Sequence, residues 1–247
     1  MGLFSYHNDQ PFIKMKLYLS IFVFTIILLQ GCTTPNSPKV SGYQLTESEK
    51  AICDSFGFDQ GIFRLIRIYN DHKIEPFHYS LGKTYVNGVQ TESDPIHLRG
   101  LVFTEKNAKS YDLIFNLKDN FRANGYSIFL LENNFNIDNE PDHIGVLKTT
   151  DKYAVLKQIV TNGINYDIDN DSLISIIKSF DKKYALELIG ASGDWCEFII
   201  HNENTDWMQL AKEAYKVCPD IVDQGAGTIK ELAEEMKRTG RLYFWWD

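Results

Sequence analysis

Asp220 and Asp223 stand three residues apart, so a helical turn would put both carboxylates on one side. With Asp194, Glu197 or Asp247 brought near them by the fold, such a cluster could hold a metal or do acid–base work. The plainer reading is of solvated carboxylates on an acidic protein. Asp167, Asp169 and Asp171 alternate as at the opening of a calcium loop. The position that needs Gly is instead Ser172, and the one that needs a bidentate Glu is Lys178. Helix N-capping by Asp169 or Asp171 suits that run better. Gly225-Ala226-Gly227-Thr228 could hold an anion on free amides, but no strand precedes it and no phosphate-loop lysine follows. Asp220 and Asp223 just upstream would repel phosphate, which favours a turn before a capped helix. No histidine falls at a metal-ligand spacing, and no Ser-His-Asp or Cys-His arrangement can be argued. The residues therefore call for no metal and no cofactor.

One thiol has a more specific context. Leu28-Leu29-Gln30-Gly31-Cys32 closes an apolar run and reads as a lipobox, the cleavage and lipidation signal of a bacterial lipoprotein. A start at Met15 supplies Lys16 ahead of the run, and a start at Met1 adds Lys14. The apolar stretch 17–29 has 13 residues. As a helix it spans about 20 Å, short of a hydrocarbon core of about 30 Å. That length suits a signal peptide better than an uncleaved anchor helix. Gln30 departs from the small residue more usual there. We expect a signal peptide over 1–31, lipidation at Cys32, and a polar tether over 32–42. The chain would then sit on the extracytoplasmic face of a bacterial membrane, the outer membrane in a Gram-negative host because Thr33, not Asp, follows Cys32. Cys53, Cys196 and Cys218 remain, an odd number that leaves at least one free thiol, with the pairing of Cys196 and Cys218 open.

The segment 32–247 has 216 residues, enough for a real core. Without Lys14, Lys16 and Asp9 it carries 23 basic and 32 acidic residues, net −9, which argues against nucleic acid or anionic lipid as a partner. Its patterns predict a helix over 47–55, a strand over 62–69, and a hairpin turning at Asn87-Gly88. A strand over 101–104 precedes a helix over 107–124 with Tyr111, Ile114, Phe115 and Phe121 on one side, then a strand over 126–132 and a loop over 133–143. Helices follow over 152–161 and 171–180, strands over 184–190 and 195–200, and a helix over 206–217 that Pro219 stops. Thr228 and Glu231 form a capping box for the last helix. The final strand, 242–246, is apolar on both faces and is placed inside the sheet rather than at an edge. Strands mixed with helices without strict alternation indicate an α+β fold, a mixed sheet packed by several helices. We divide it into an N-terminal α+β portion, 43–97, and a domain over 98–247.

Three blocks carry a resemblance: Ser192-Gly193-Asp194-Trp195, Cys218-Pro219-Asp220-Ile221-Val222-Asp223-Gln224-Gly225 and Phe244-Trp245-Trp246-Asp247. Together they resemble the bacterial domain-of-unknown-function family numbered 4253, and Thr161-Asn162-Gly163-Ile164-Asn165-Tyr166 is similar to an upstream block of it. The resemblance covers roughly 98–247. It implies no activity. It adds Trp195, Cys218, Gln224 and Trp245 to Asp194, Asp220, Asp223 and Asp247 as site candidates without roles.

The expectation that follows is a lipid-anchored envelope protein, held to the membrane through Cys32, that binds a protein partner rather than catalysing a reaction. An immunity-like role against an exported toxin is one form of it. The alternative is an envelope metal-assisted hydrolase built on Asp194, Asp220, Asp223 and Asp247, and a purely structural envelope role is a third.

Overall fold

Thr46 and Glu49 begin the first helix with a reciprocal cap. The Thr46 amide donates to Glu49 Oε2 at 2.8 Å, and the Glu49 amide donates to Thr46 Oγ1 at 3.2 Å. The computed structural model describes residues 43–79, 83–86, 89–92, 96–135 and 137–247. The expected signal peptide over 1–31, Cys32, the expected tether over 32–42 and the expected Asn87-Gly88 turn lie outside the described residues. In chain order come α1 (Glu47–Phe56), α2 (Gln60–Tyr69), β1 (Glu75–Tyr79), β2 (Lys83–Val86), β3 (Val89–Glu92) and β4 (Ile96–Glu105). Next are α3 (Asn107–Ala123), β5 (Ser127–Glu132), β6 (Asp142–Leu147), α4 (Lys152–Ile159) and α5 (Asn170–Tyr184). The last part holds β7 (Leu186–Ala191), β8 (Trp195–Ile200), α6 (Trp207–Val217), α7 (Ile229–Thr239) and β9 (Arg241–Trp245). Among the described residues no helix is long and apolar enough to cross a membrane.

The fold is α+β. Seven strands form a mixed sheet in the order β1-β4-β6-β5-β7-β8-β9, and β2 and β3 pair separately with Val86 opposite Val89. All neighbours in the large sheet are antiparallel except β5 and β7, which run parallel and meet at Leu130 and Gly190. Alternation along each strand feeds two cores. Ile128 and Leu130 of β5 join Leu101, Phe103, Ile144 and Val146 against α1, α2 and α3. Phe129 and Leu131 turn to the other face, where Phe198, Phe244 and Trp246 meet α4, α5, α6 and α7.

Three expectations need correction. The predicted strand at 62–69 is helix α2. Asp59 caps it by accepting the Gly61 amide at 2.6 Å, and Ile62, Phe63 and Ile66 are buried. Ile and Phe favour strands only weakly, and here a cap and an i, i+4 pair overrode that preference. Asp142 and His143, placed in a loop, begin β6, which lies between β4 and β5 in the sheet. Its apolar run is only Ile144-Gly145-Val146-Leu147, too short to declare a period. The C-terminal strand is in the sheet as expected, but at its end, paired with β8 alone. Apolar residues on both faces report cover above and below the strand. They do not report a neighbour on each side.

Candidate functional site

Strand direction gathers the family-like blocks at one end of the sheet. β5 and β7 run parallel toward this end, so the 133–141 loop after β5 and the 192–194 turn after β7 emerge together. The Asn162 amide donates to Gly193 O at 2.8 Å, which brings the α4–α5 connection to the same end. The Trp246 amide donates to Asp194 O at 3.0 Å, which brings the last residues there too.

Asp220 is the hub. It is buried, and Pro219, which precedes it, ends α6 and starts a π-helical turn over Ile221–Ala226. Asp220 Oδ1 accepts from Tyr166 Oη at 2.5 Å and from Gln224 Nε2 at 3.0 Å, while Oδ2 accepts from the Asp247 amide at 3.1 Å. Burial opposes the charged form, but these three donors outweigh it and hold the carboxyl below its ordinary value. The hydrogen bond to Asp220 in turn pushes the Tyr166 phenol up to about 12.

Trp246 is the second anchor. Its indole Nε1 donates to Val217 O at 3.2 Å, and its ring stacks on Phe244 at 5.7 Å between centroids. A Cβ at Gly163 would lie 2.8 Å from that indole, so the glycine is what allows the loop to close over the ring. Cys218 Sγ donates to Trp245 O at 2.8 Å. Burial pushes the Cys218 thiol up to about 11, the reverse of what an attacking thiolate needs. Cys196 is fully buried and its thiol is raised for the same reason. Cys53, Cys196 and Cys218 are all free thiols.

The other candidates divide. Asp194 and Asp247 have exposed carboxylates at this end. Asp194 lies close enough to packed groups that desolvation first, and then the Asp247 charge, raises its carboxyl. Asp223 is exposed one turn beyond Asp220 and accepts from Tyr215 Oη at 3.3 Å. Trp195 and Trp245 stand opposite each other in register, packed toward α1, α2 and α3 and away from Asp220. Glu197 also points to that face, because Cys196 beside it takes the other. Tyr111 Oη donates to Glu197 at 2.6 Å and Arg241 Nη1 at 3.2 Å, with the guanidinium 4.2 Å over the Tyr111 ring. Tyr111 and Phe115, which their spacing placed on the core side of α3, are only half-buried, with the Arg241 guanidinium over both rings. Tyr166 and Trp246 are the site residues not singled out from residue chemistry. Both lie within the family-like blocks, and Trp246 also lies in the apolar final strand expected over 242–246.

The remaining motifs resolve simply. Asp169 caps α5 by accepting the Ser172 amide at 2.8 Å, and Asp171 pairs with Lys157 at 2.6 Å. Thr228 accepts the Glu231 amide at 3.1 Å, while Glu231 accepts the Thr228 hydroxyl and not its amide, so the expected box is half made. Among the described residues no three His, Cys, Asp or Glu side chains are placed to hold a metal.

A second polar centre lies at the opposite end. There a cleft of about 340 Å³ opens between the starts of β5 and β7. Lys152 reaches in to donate to Leu186 O at 2.5 Å and pairs with Asp181 at 2.7 Å. Beside it the buried Glu187 accepts from Lys118 at 3.0 Å, from Arg122, and from His201 at 2.8 Å. Burial opposes ionisation, but those three partners hold the Glu187 carboxyl down at about 2.

Residues 143–247 match the family model described as a domain of unknown function, DUF4253. The matched region contains every residue of the Asp220 and Trp246 network. No curated protein and no solved structure matches the chain.

Proposed function

We propose that this chain is a lipid-anchored binding module of the bacterial cell envelope, held at the membrane through Cys32 and acting by gripping a partner protein. The anchor rests on the sequence of residues 15–32. The binding role rests on one observation. The groups of the family-like blocks best suited to chemistry are occupied in fastening β9: Asp220 accepts three hydrogen bonds and the Cys218 thiol is protonated against Trp245 O. The same end of the sheet leaves large apolar side chains in solvent, with Phe135 67%, Ile137 63% and Ile164 65% exposed. A rigid frame under exposed apolar groups is the arrangement of a docking surface.

The test uses the full chain in a bacterial host. Labelled palmitate should enter the wild type and not C32S. Mild detergent should release the wild type in a complex larger than the monomer, one that a cross-linker traps. A soluble product with the unmodified mass would overturn the anchor. A membrane-bound chain that no cross-linker shifts would overturn the binding role.

A further inference from the structure

The docking end has a definite charge, and the charge selects the partner. Four segments are fastened together there, 162–169, 192–194, 218–228 and 246–247, and the described residues of a fifth, 133–141, leave β5 at the same end of the sheet. None of the five contains a Lys or Arg. Their described exposed carboxylates are Glu140, Asp167, Asp169, Asp194, Asp223 and Asp247, and none of these makes an ion pair among the described residues. The lysines near this end stand on or beside helices instead: Lys106 and Lys109 at the start of α3, Lys157 near the end of α4, where it pairs with Asp171 and lies close enough to lower the Asp169 carboxyl, Lys216 near the end of α6 and Lys230 in α7. Asp220 adds a buried negative charge that only neutral donors meet. Away from this end, the strongest carboxylate clusters are met by cations. Glu187 has Lys118, Arg122 and His201; Asp181 has Lys152; Glu49 has Arg67.

From this we infer that the 133–141 and 162–169 loops form the docking surface for a basic protein segment, one that sets an apolar side chain against Phe135, Ile137 and Ile164 and carries Lys or Arg toward Asp194, Asp223 and Asp247. The inference rests on the binding role proposed above and adds its location and the partner's chemistry. An anionic membrane surface fits poorly, because the rim of carboxylates repels it. A second copy of this chain, itself at net −8, would bring the same charge to the contact. A basic segment meets both features: burial of the apolar groups supplies lifetime, and the carboxylates supply rapid, salt-sensitive encounter.

The experiment places a photo-cross-linking residue at Phe135 or at Ile164 of the full chain in its native host, with Lys178 on α5 as a control position. Both docking positions should yield adducts to one protein, at a segment with an excess of Lys and Arg beside an apolar side chain, and the control should yield none. F135S/I137S and I164S should each lower the complex about tenfold or more with an unchanged melting transition. D194N/D247N should lower it less and flatten its salt dependence. Adducts to lipid, to a second copy or to an acidic segment would overturn the inference, as would variants that bind like wild type. A complex cross-linked only from Lys178 would overturn the docking surface and leave the binding role standing; absence of any complex would overturn both.

Discussion

Asp220 and Glu187 are both buried carboxylates with three hydrogen-bonding partners, at opposite ends of one sheet, and they differ in what donates. Glu187 is met by Lys118, Arg122 and His201, a charge-balanced brace that ties β7 to α3. Asp220 is met by a phenol, an amide side chain and a backbone amide, which satisfy its geometry and leave its charge in place. A carboxylate held by cations disappears electrostatically. Held by neutral donors, it stays negative. That difference is why the end carrying the family-like blocks keeps an acidic field, and why it is the better place to look for a partner.

The comparison breaks most directly by removing what Asp220 fastens. Deleting residues 242–247 takes away Phe244 and Trp246, both buried. The product should be insoluble or protease-sensitive, and W246A alone should cost about 3–5 kcal/mol in urea denaturation. A truncated chain that still unfolds cooperatively would mean that β9 is not part of the core.

Next comes the pair of charge-neutral variants. D220N should destabilise by about 1–3 kcal/mol, because an amide nitrogen would face a donor where an oxygen now accepts. That expectation opposes a catalytic carboxylate cluster, in which relieving repulsion would raise the melting temperature. E187Q should fall at the lower end of that range, since Arg122 and His201 face solvent. Its penalty should shrink in high salt while that of D220N holds. Equal salt responses would remove the distinction drawn between the two ends.

Acid should separate them further. Glu187 titrates near 4.5 when unperturbed and at about 2 when folded. Its carboxyl is depressed, so the folded state binds fewer protons within that window. The stability it contributes is complete above pH 4.5 and is lost as the pH falls toward about 2. Urea midpoints followed across that range should be flatter for E187Q than for wild type. The smallest effect belongs to Asp194, whose carboxyl is raised by desolvation and by Asp247. D194N should raise the melting temperature slightly, and a clear fall would mean that the carboxylate has a partner at this end.

The caps and amphipathic helices were legible from residues alone. Asp169 and Thr228 each cap the helix expected after them, and Asp206, expected as the first residue of its helix, is its cap. Pattern misled where the local signal is ambiguous: α2 contains Ile and Phe that also suit a strand, and β6 is too short to show a period. The site was half legible. Carboxylates three apart suggested Asp220 with Asp223, yet only Asp220 turns inward, because the π-helical turn leaves Asp223 in solvent. Tyr166 reaches Asp220 across 54 residues, a separation that no spacing rule detects.

By itself, then, the sequence determined the α+β class, the acidic balance and the start of every helix except α2 to within a residue, because each depends on composition or on residues close together in the chain. The tertiary structure alone decided that Asp220 fastens β9, that Glu197 and Trp195 face away from it, and that β9 ends the sheet. Those outcomes depend on which strand lies beside which and on which face each side chain takes. Local pattern carries no record of either.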